Sequence, residues 1–311
     1  MKSSDRITGL IVGQAVGDAL GFSTAYLSKS LIKRRYPKGV VKYSDIEADG
    51  WRTKENIGSW TNNSSLMLSV LDRLIENEGV NYQDIAKRFV HWKNSTGKGI
   101  GEGTEQLLSS STYLADPFGE SKELWKRSGR DSATNTALVR SPIVATWNFQ
   151  EWSLVEKNTE EVCKLTHYDP RCIGSCVVIN YILYKLLNGE TFTKEELISI
   201  GDTYDDRIAA YIELGYQPVL AKLKLDNELT MSYTLKTMAA AIWSYNYTFS
   251  YFDAIHVLLM EGGDANANCA VAGAIAGVRY GVEAIPTHLV KELENNEFLI
   301  DQAKKLIKLI L

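Results

Sequence analysis

The sequence predicts an α-rich fold in a single domain that spans residues 1–311. Only six prolines interrupt the 311 residues, and apolar side chains recur with the 3.6-residue period of a helix. Alternation typical of a strand never lasts beyond a few residues, and its best example, residues 39–43, is too short to support a parallel sheet. With 45% hydrophobic residues, a chain of this length can bury a substantial core. No Ser/Gly/Pro-rich linker divides it.

Composition and charge exclude several classes of function. The net charge is −4 with acidic and basic residues interleaved, which argues against a nucleic-acid-binding face. No apolar run is long enough to span a bilayer, so we expect a cytoplasmic protein without a membrane partner. The cysteines lack CxxC spacing, and we expect reduced, structural thiols at Cys163, Cys172, Cys176 and Cys269.

Two segments rich in small residues lie near opposite ends of the chain. The first carries Gly9, Gly13 and Gly17 at four-residue steps, and the second, residues 270–277, is rich in alanine and glycine. Glycine at such spacing lets another helix backbone approach closely. We therefore predict that these two helices meet in the middle of the bundle.

Further helices follow from apolar periodicity and from capping residues. One helix has a single apolar face that ends near Gly79, and Asn81 then has the character of an N-cap for the next, with Asp84 as a weak capping-box partner. The apolar faces of these two helices consist of Met67, Leu71, Leu74 and Ile75 in the first, and Ile85, Phe89 and Trp92 in the second.

Three more helices are predicted in the second half of the chain. Residues 173–187 are apolar nearly all the way round, which indicates a central helix that ends at Gly189. Residues 250–261 form another. The amphipathic run 288–311 could touch a membrane or a partner, but docking onto its own bundle is the better interpretation.

Two polar loops, residues 94–104 and 127–142, are candidate binding segments. Gly99, Gly101 and Gly103 superficially resemble a phosphate-binding loop, but no strand precedes them and no Lys-Ser/Thr pair follows. A looser cradle of backbone amides, opening a helix at Thr104, remains an open interpretation.

The histidines show no zinc-binding spacing. We expect His256 to be a core residue with its hydrogen bonds satisfied. His167, in Thr-His-Tyr-Asp-Pro before the central helix, is expected to anchor its loop into that helix, and a functional role for it stays open. No serine lies in a GxSxG elbow, so nucleophilic catalysis has no support.

Two clusters of small, polar residues each precede an apolar helical pattern. They are residues 61–65 (Thr-Asn-Asn-Ser-Ser) and residues 262–268 (Gly-Gly-Asp-Ala-Asn-Ala-Asn). Each is predicted to bring hydroxyl and amide oxygens to the N-terminus of a buried helix. Mg²⁺ prefers carboxylates at such positions, and only Asp264 supplies one.

Several blocks, in order along nearly the whole chain, resemble the ADP-ribosylglycohydrolase family of the dinitrogenase-reductase-activating type. These blocks are residues 7–21, 60–65, 99–101, 135–140, 166–171 and 262–277. The resemblance implies an all-α orthogonal helical bundle, a cleft with two Mg²⁺ ions, and hydrolysis of ADP-ribose from modified side chains or related conjugates.

The chain departs from the family pattern at five functional positions. Asn62 and Asn63 stand where the family has two aspartates, Asn266 and Ala267 replace a second Asp-Thr pair, and Ala25 replaces a glutamate associated with catalysis. The family's metal positions correspond here to Thr61, Asn62, Asn63, Asp264, Asn266 and Ala267. Three of about four carboxylates are missing, so we expect weak Mg²⁺ binding or none.

We therefore predict a pseudoenzyme or a strongly weakened hydrolase that binds ADP-ribose or a related nucleotide. The residues expected to bind this ligand are Gly99, Gly101, Gly103, Asn135 and His167. One alternative is a hydrolase or lyase that works through an altered set of acids and bases, drawn from Asp18, Asp264, His167 and Glu102. Another is a structural or interaction protein that reuses the fold.

Overall fold

A computed structural model describes residues 1–53 and 56–311, and these residues form a bundle of α-helices without a β-sheet. One isolated antiparallel bridge joins Thr134 to Tyr233. The helices are α1 (Ser3–Gly21), α2 (Lys29–Arg35), α3 (Asn62–Asn77), α4 (Tyr82–Ser95), α5 (Glu102–Leu108), α6 (Pro117–Arg127), α7 (Thr136–Arg140), α8 (Trp152–Lys164), α9 (Pro170–Leu187), α10 (Lys194–Asp202), α11 (Arg207–Gly215), α12 (Thr234–Tyr247), α13 (Tyr251–Leu259), α14 (Ala265–Tyr280), α15 (Thr287–Lys291) and α16 (Asn296–Ile310). The predicted helical fold is confirmed.

Helices α1 and α14 pack backbone against backbone in the middle of the bundle. A Cβ atom added at Gly277 would lie 1.9 Å from the carbonyl oxygen of Gly9, and one added at Gly13 would lie 2.5 Å from that of Gly273. Only glycine allows this approach, because any side chain would overlap the facing backbone. The predicted meeting of the two small-residue helices is confirmed.

Helices α3 and α4 begin where the sequence predicted. Thr61 caps α3 by accepting a hydrogen bond from the backbone N–H of Asn63 (3.3 Å), and Asn81 caps α4 by accepting one from that of Asp84 (3.1 Å). The capping box predicted for Asp84 is wrong. Its carboxylate instead accepts from the Asn77 amide (3.0 Å), which lies at the end of the preceding helix.

The central and C-terminal helices also match their predictions. Helix α9 is buried around nearly its whole circumference. Helix α16 buries Leu299, Ala303 and Leu306 and packs against α1 and α3. Among the residues that the structure describes, no helix is both long and apolar enough to cross a membrane.

Three local predictions need correction. Residues 127–142 are not one loop, because they contain helix α7, whose Ala137, Leu138 and Val139 are drawn into the core. The helix expected to open at Thr104 begins earlier, at Glu102. His256 is only half-buried, and its Nε2 atom has no hydrogen-bond partner in the described part of the chain; the ring stacks on Phe252 with centroids 5.1 Å apart.

Candidate functional site

The candidate site is a cavity of about 330 Å³ into which both polar clusters open. The N-terminal ends of α3 and α14 form one side, and the loop before α5 and the segments at 132–136 and 166–168 form the others. Predicted site residues that line it are Asn62, Asn63, Gly99, Gly101, Glu102, Gly103, Asn135, His167, Asp264 and Asn266. The fold thus gathers side chains more than 200 residues apart in sequence.

Asp18 lies behind the cavity and is fully buried. Its two carboxylate oxygens accept five hydrogen bonds, all from the N-cap and the first turn of α3. The donors are the Thr61 N–H (2.9 Å), the Thr61 hydroxyl (2.7 Å), the Asn63 amide (3.1 Å), the Ser64 N–H (3.1 Å) and the Ser64 hydroxyl (2.8 Å). Burial raises the pKa of Asp18, although the bonds from Thr61 and Ser64 oppose this. The carboxylate joins α1 to α3.

Asp264, the residue directly before α14, has a similar environment. It is 5% exposed and accepts a hydrogen bond from the Asn135 amide (3.0 Å), which also donates to the Thr237 hydroxyl (3.0 Å). Burial raises the pKa of Asp264, and hydrogen bonds from Ser232, Asn135 and the Ala267 backbone oppose this.

Two of the three asparagines at the family's metal positions donate to protein partners through Nδ2, while the Asn266 side-chain oxygen has no hydrogen-bond partner among the described residues. The Asn266 amide donates to the Thr61 hydroxyl oxygen (3.2 Å), and Thr61 and Asn63 both donate to Asp18. Among the described residues, no group of three or more His, Cys, Asp or Glu side chains could hold a metal ion. The donor set is one of neutral oxygens beside a single cavity-lining aspartate, which does not suit two small divalent cations.

Gly99 and Gly101 precede helix α5 and Gly103 lies in its first turn, and the three glycines have different surroundings. Gly99 has a positive φ of 73°, and a Cβ atom there would lie 2.9 Å from the Asn62 side-chain oxygen. Added Cβ atoms at Gly101 and Gly103 would meet nothing within 4 Å. The positive φ favours glycine at position 99, where a Cβ atom would also crowd the Asn62 side chain. Positions 101 and 103 face open space.

His167 is held by hydrogen bonds at both ring nitrogens. Nδ1 lies 2.7 Å from the Thr166 hydroxyl oxygen, and Nε2 lies 2.9 Å from that of Thr134. The side chain is 7% exposed. Burial, together with the positive charge of Arg140, lowers the pKa of His167 to about 3. The imidazole is neutral at physiological pH and anchors its loop to Thr134, on the segment before α7, whereas the sequence predicted an anchor to the following helix.

This lowered pKa predicts how stability depends on pH. Between pH 6.5 and 3 the unfolded chain binds a proton at His167 and the folded chain does not, so folding becomes less favourable as the pH falls. Lowering the pH from 7 to 5 should cost the wild type about 2 kcal/mol through this group. Urea unfolding at both pH values should show a smaller loss for His167→Gln; equal losses would contradict a neutral, buried imidazole.

Sequence reasoning missed several residues of the site. Tyr26 lines the cavity, and the neighbouring carboxylates of Asp264 and Asp18 raise its pKa. Thr134 lines the cavity beside His167, and Trp125 and Tyr168 lie on the same side, with ring centroids 6.1 Å apart. Tyr168 and Thr134 lie in segments that the sequence analysis singled out without naming them, Tyr26 directly follows Ala25, and no motif marks Trp125. Ala25 itself is fully buried.

A second, shallower cavity of about 500 Å³ adjoins the first. The two share Ser132, Thr134 and Ser232 as a common wall. The segment that carries Thr134 is therefore exposed to both spaces.

Comparisons with known proteins agree with this architecture. A family model described as ADP-ribosylglycohydrolase matches residues 1–311. A solved structure, the "ADP-ribosylglycohydrolase-related protein complex", superposes with a TM-score of 0.80 at 22% sequence identity, covering 100% of this chain and 99% of the other. At that identity the superposition shows the fold.

Curated relatives are similar over most of their length. ADP-ribosylarginine hydrolase Tri1 of Serratia proteamaculans (strain 568) is 24% identical, covering 98% of this chain and 80% of the relative. ADP-ribosyl-[dinitrogen reductase] glycohydrolase of Rhodospirillum rubrum is 23% identical over 93% of this chain and 90% of the relative. An uncharacterized protein of Archaeoglobus fulgidus is 27% identical, and the match covers 98% of this chain and 97% of the relative.

Proposed function

Since this chain belongs to the ADP-ribosylglycohydrolase family, we propose that it binds ADP-ribose or a related nucleotide and has lost, or greatly weakened, hydrolysis that depends on two Mg²⁺ ions. The observation that supports this most strongly is the hydrogen bonding of Asp18. All five of its hydrogen bonds come from the polar cluster that the family uses for metal. Protein hydrogen bonds alone can therefore order this cluster, which supports a fold that does not depend on a bound metal.

The electrostatics of the cavity support the loss of metal. Asp264 is the acidic side chain at the family's metal positions, and it is already hydrogen-bonded to Asn135. A lone carboxylate with neutral amides offers much less Coulomb attraction to two divalent ions than four carboxylates do. Without those ions, no bound metal polarises the ribose hydroxyls or activates a water molecule.

The cavity nevertheless keeps features suited to a nucleotide. Its lining combines hydroxyls, amides and glycine backbone with the aromatic rings of Trp125 and Tyr168. A ligand with a planar base and several polar groups is the kind that such a mixed lining accommodates. Exchange of aspartate for asparagine is nearly isosteric, so the shape of the cavity is expected to survive the loss of charge.

Calorimetric titration of ADP-ribose, in EDTA and again in Mg²⁺, tests this proposal. We expect the same binding constant in both buffers, because no metal mediates the contact. Incubation with ADP-ribosylated peptide should release no ADP-ribose.

Other outcomes would favour the alternatives. Release of ADP-ribose that continues in EDTA and is lost in Asp264→Ala would indicate a hydrolase with an altered site. Absence of binding in both buffers would favour a structural or interaction protein that reuses the fold.

A further inference from the structure

Arg140 carries a positive charge that is buried beneath the cavity. Its side chain is 1% exposed, and within the described ranges no carboxylate pairs with it. Its guanidinium lies 4.8 Å from the Phe89 ring centroid and donates to the Thr136 carbonyl (3.1 Å) and to the Thr166 hydroxyl oxygen. Burial of a charge without an ion partner costs folding free energy. We therefore looked for a function that this charge could serve.

The hydrogen bond from Arg140 to Thr166 is consistent with one direction for the next two bonds, because it leaves the Thr166 proton free to be donated. Arginine only donates, so the Thr166 oxygen accepts from it, and the Thr166 proton is available to His167 Nδ1, 2.7 Å away. If Nδ1 accepts this hydrogen bond, the neutral imidazole must carry its own proton on Nε2. Nε2 then donates to the Thr134 hydroxyl oxygen, 2.9 Å away.

Thr134 is held in place at the end of this series. Its neighbours form the antiparallel bridge, in which the Asn135 N–H donates to the Ser232 carbonyl (2.9 Å) and the Thr234 N–H donates to the Ala133 carbonyl (3.0 Å). The Thr134 hydroxyl accepts from His167, so its own proton is free to point toward the ligand. Thr134 is exposed and lines both cavities.

We propose that Arg140, Thr166 and His167 form a directional hydrogen-bond relay that makes the Thr134 hydroxyl a donor to a phosphate oxygen of the ligand. The inference rests on the proposed function, since it assigns one part of the nucleotide, its diphosphate, to this wall. The described lining of the main cavity contains Glu102 and Asp264 and no lysine or arginine. A diphosphate in this cavity must therefore be held by hydroxyl, amide and backbone donors, and a donor polarised by a buried guanidinium is the strongest type available.

The relay also assigns a role to His167. Both ring nitrogens are occupied, one as acceptor and one as donor, so the imidazole is not free to remove a proton from a ligand. His167 is a positioning residue for Thr134, which replaces its candidacy as a catalytic acid or base.

The test uses Thr166→Val, which removes the relaying hydroxyl at nearly constant volume, with Thr166→Ser as the matched control that keeps it. Calorimetry would compare ADP-ribose, ADP and adenosine on each. We expect Thr166→Val to weaken the binding of ADP-ribose and of ADP about tenfold, or by about 1.4 kcal/mol, and to leave the affinity for adenosine unchanged. Thr166→Ser should bind all three as the wild type does.

A spectroscopic measurement separates the relay from a general structural role. In the ¹⁵N-histidine NMR spectrum, His167 of the wild type and of Thr166→Ser should show the Nε2–H tautomer. An Nδ1–H tautomer in the wild type would overturn the relay, as would equal losses for adenosine and ADP-ribose in Thr166→Val, or no loss for either.

Failure of the proposed function would be distinguishable. If the wild type binds none of the three ligands, the nucleotide proposal fails and inorganic pyrophosphate becomes the probe of the relay. Pyrophosphate binding that weakens in Thr166→Val would retain the relay as an anion-binding device. Absence of pyrophosphate binding would overturn it.

Discussion

Gly277→Ala is expected to destabilise the protein by about 3 kcal/mol or more, near the upper end for a single substitution. The new methyl group would lie 1.9 Å from the Gly9 carbonyl oxygen and 2.4 Å from its carbonyl carbon. Both atoms belong to backbone in the core, which cannot move aside as a flexible side chain can. Helices α1 and α14 must separate, and the packing on both sides of them would be lost. The free energy of unfolding in urea, measured by circular dichroism, tests this.

Gly103→Ala is the matched control. Gly103 lies in helix α5, and an added Cβ atom there meets nothing within 4 Å. Alanine in a helix is favoured over glycine by about 1 kcal/mol, so this variant should be as stable as the wild type or more stable. If Gly277→Ala unfolds at the same urea concentration as Gly103→Ala, the close approach of α1 and α14 is not required.

Restoring the missing carboxylates should make the protein dependent on Mg²⁺. In the triple variant Asn62→Asp, Asn63→Asp and Asn266→Asp, three new charges stand beside Asp18 and Asp264, and the Asn63 donor to Asp18 is lost. Like charges crowded in a buried site repel, so the melting temperature in EDTA should fall. Mg²⁺ that binds the folded state stabilises it. At a hundredfold excess over its Kd, Mg²⁺ should raise the free energy of unfolding by about 2.7 kcal/mol and the melting temperature by about 5 °C or more.

The wild type provides the comparison for this experiment. Its melting temperature should be the same in EDTA and in Mg²⁺ at equal ionic strength, because one aspartate among neutral amides attracts a small divalent cation only weakly. A wild-type shift as large as that of the triple variant would mean that the neutral cluster holds the ion, and the loss of metal proposed for this protein would be wrong.

Much of the helical architecture could be predicted from local patterns. The period of apolar side chains located α3, α4, α9 and α16, because each buries one face or all faces in a core. The glycine spacing in α1 and α14 also predicted their contact, since only a close backbone approach requires small residues at repeated four-residue steps.

The arrangement of the site was less accessible to sequence reasoning. The polar clusters and His167 were recognised, but the closure of α3 on Asp18 depends on a contact across 43 residues or more, which no local period reports. The bridge at Thr134 also joins distant segments. His256 was predicted to be a core residue because it lies on an apolar helix, but its ring is only half-buried.

The union of α1 with α14 also affects how the protein is made. At about 5 to 20 residues per second, the ribosome needs roughly 12 to 50 s to extend the nascent chain from the end of the first helix to the start of the other. Because both helices pass through the ribosome exit tunnel before they emerge, an apolar helix that is buried on almost every side in the native state lacks its partner for an interval of about that length. The protein is therefore expected to depend on chaperones that bind nascent chains and to mature only after translation is nearly complete.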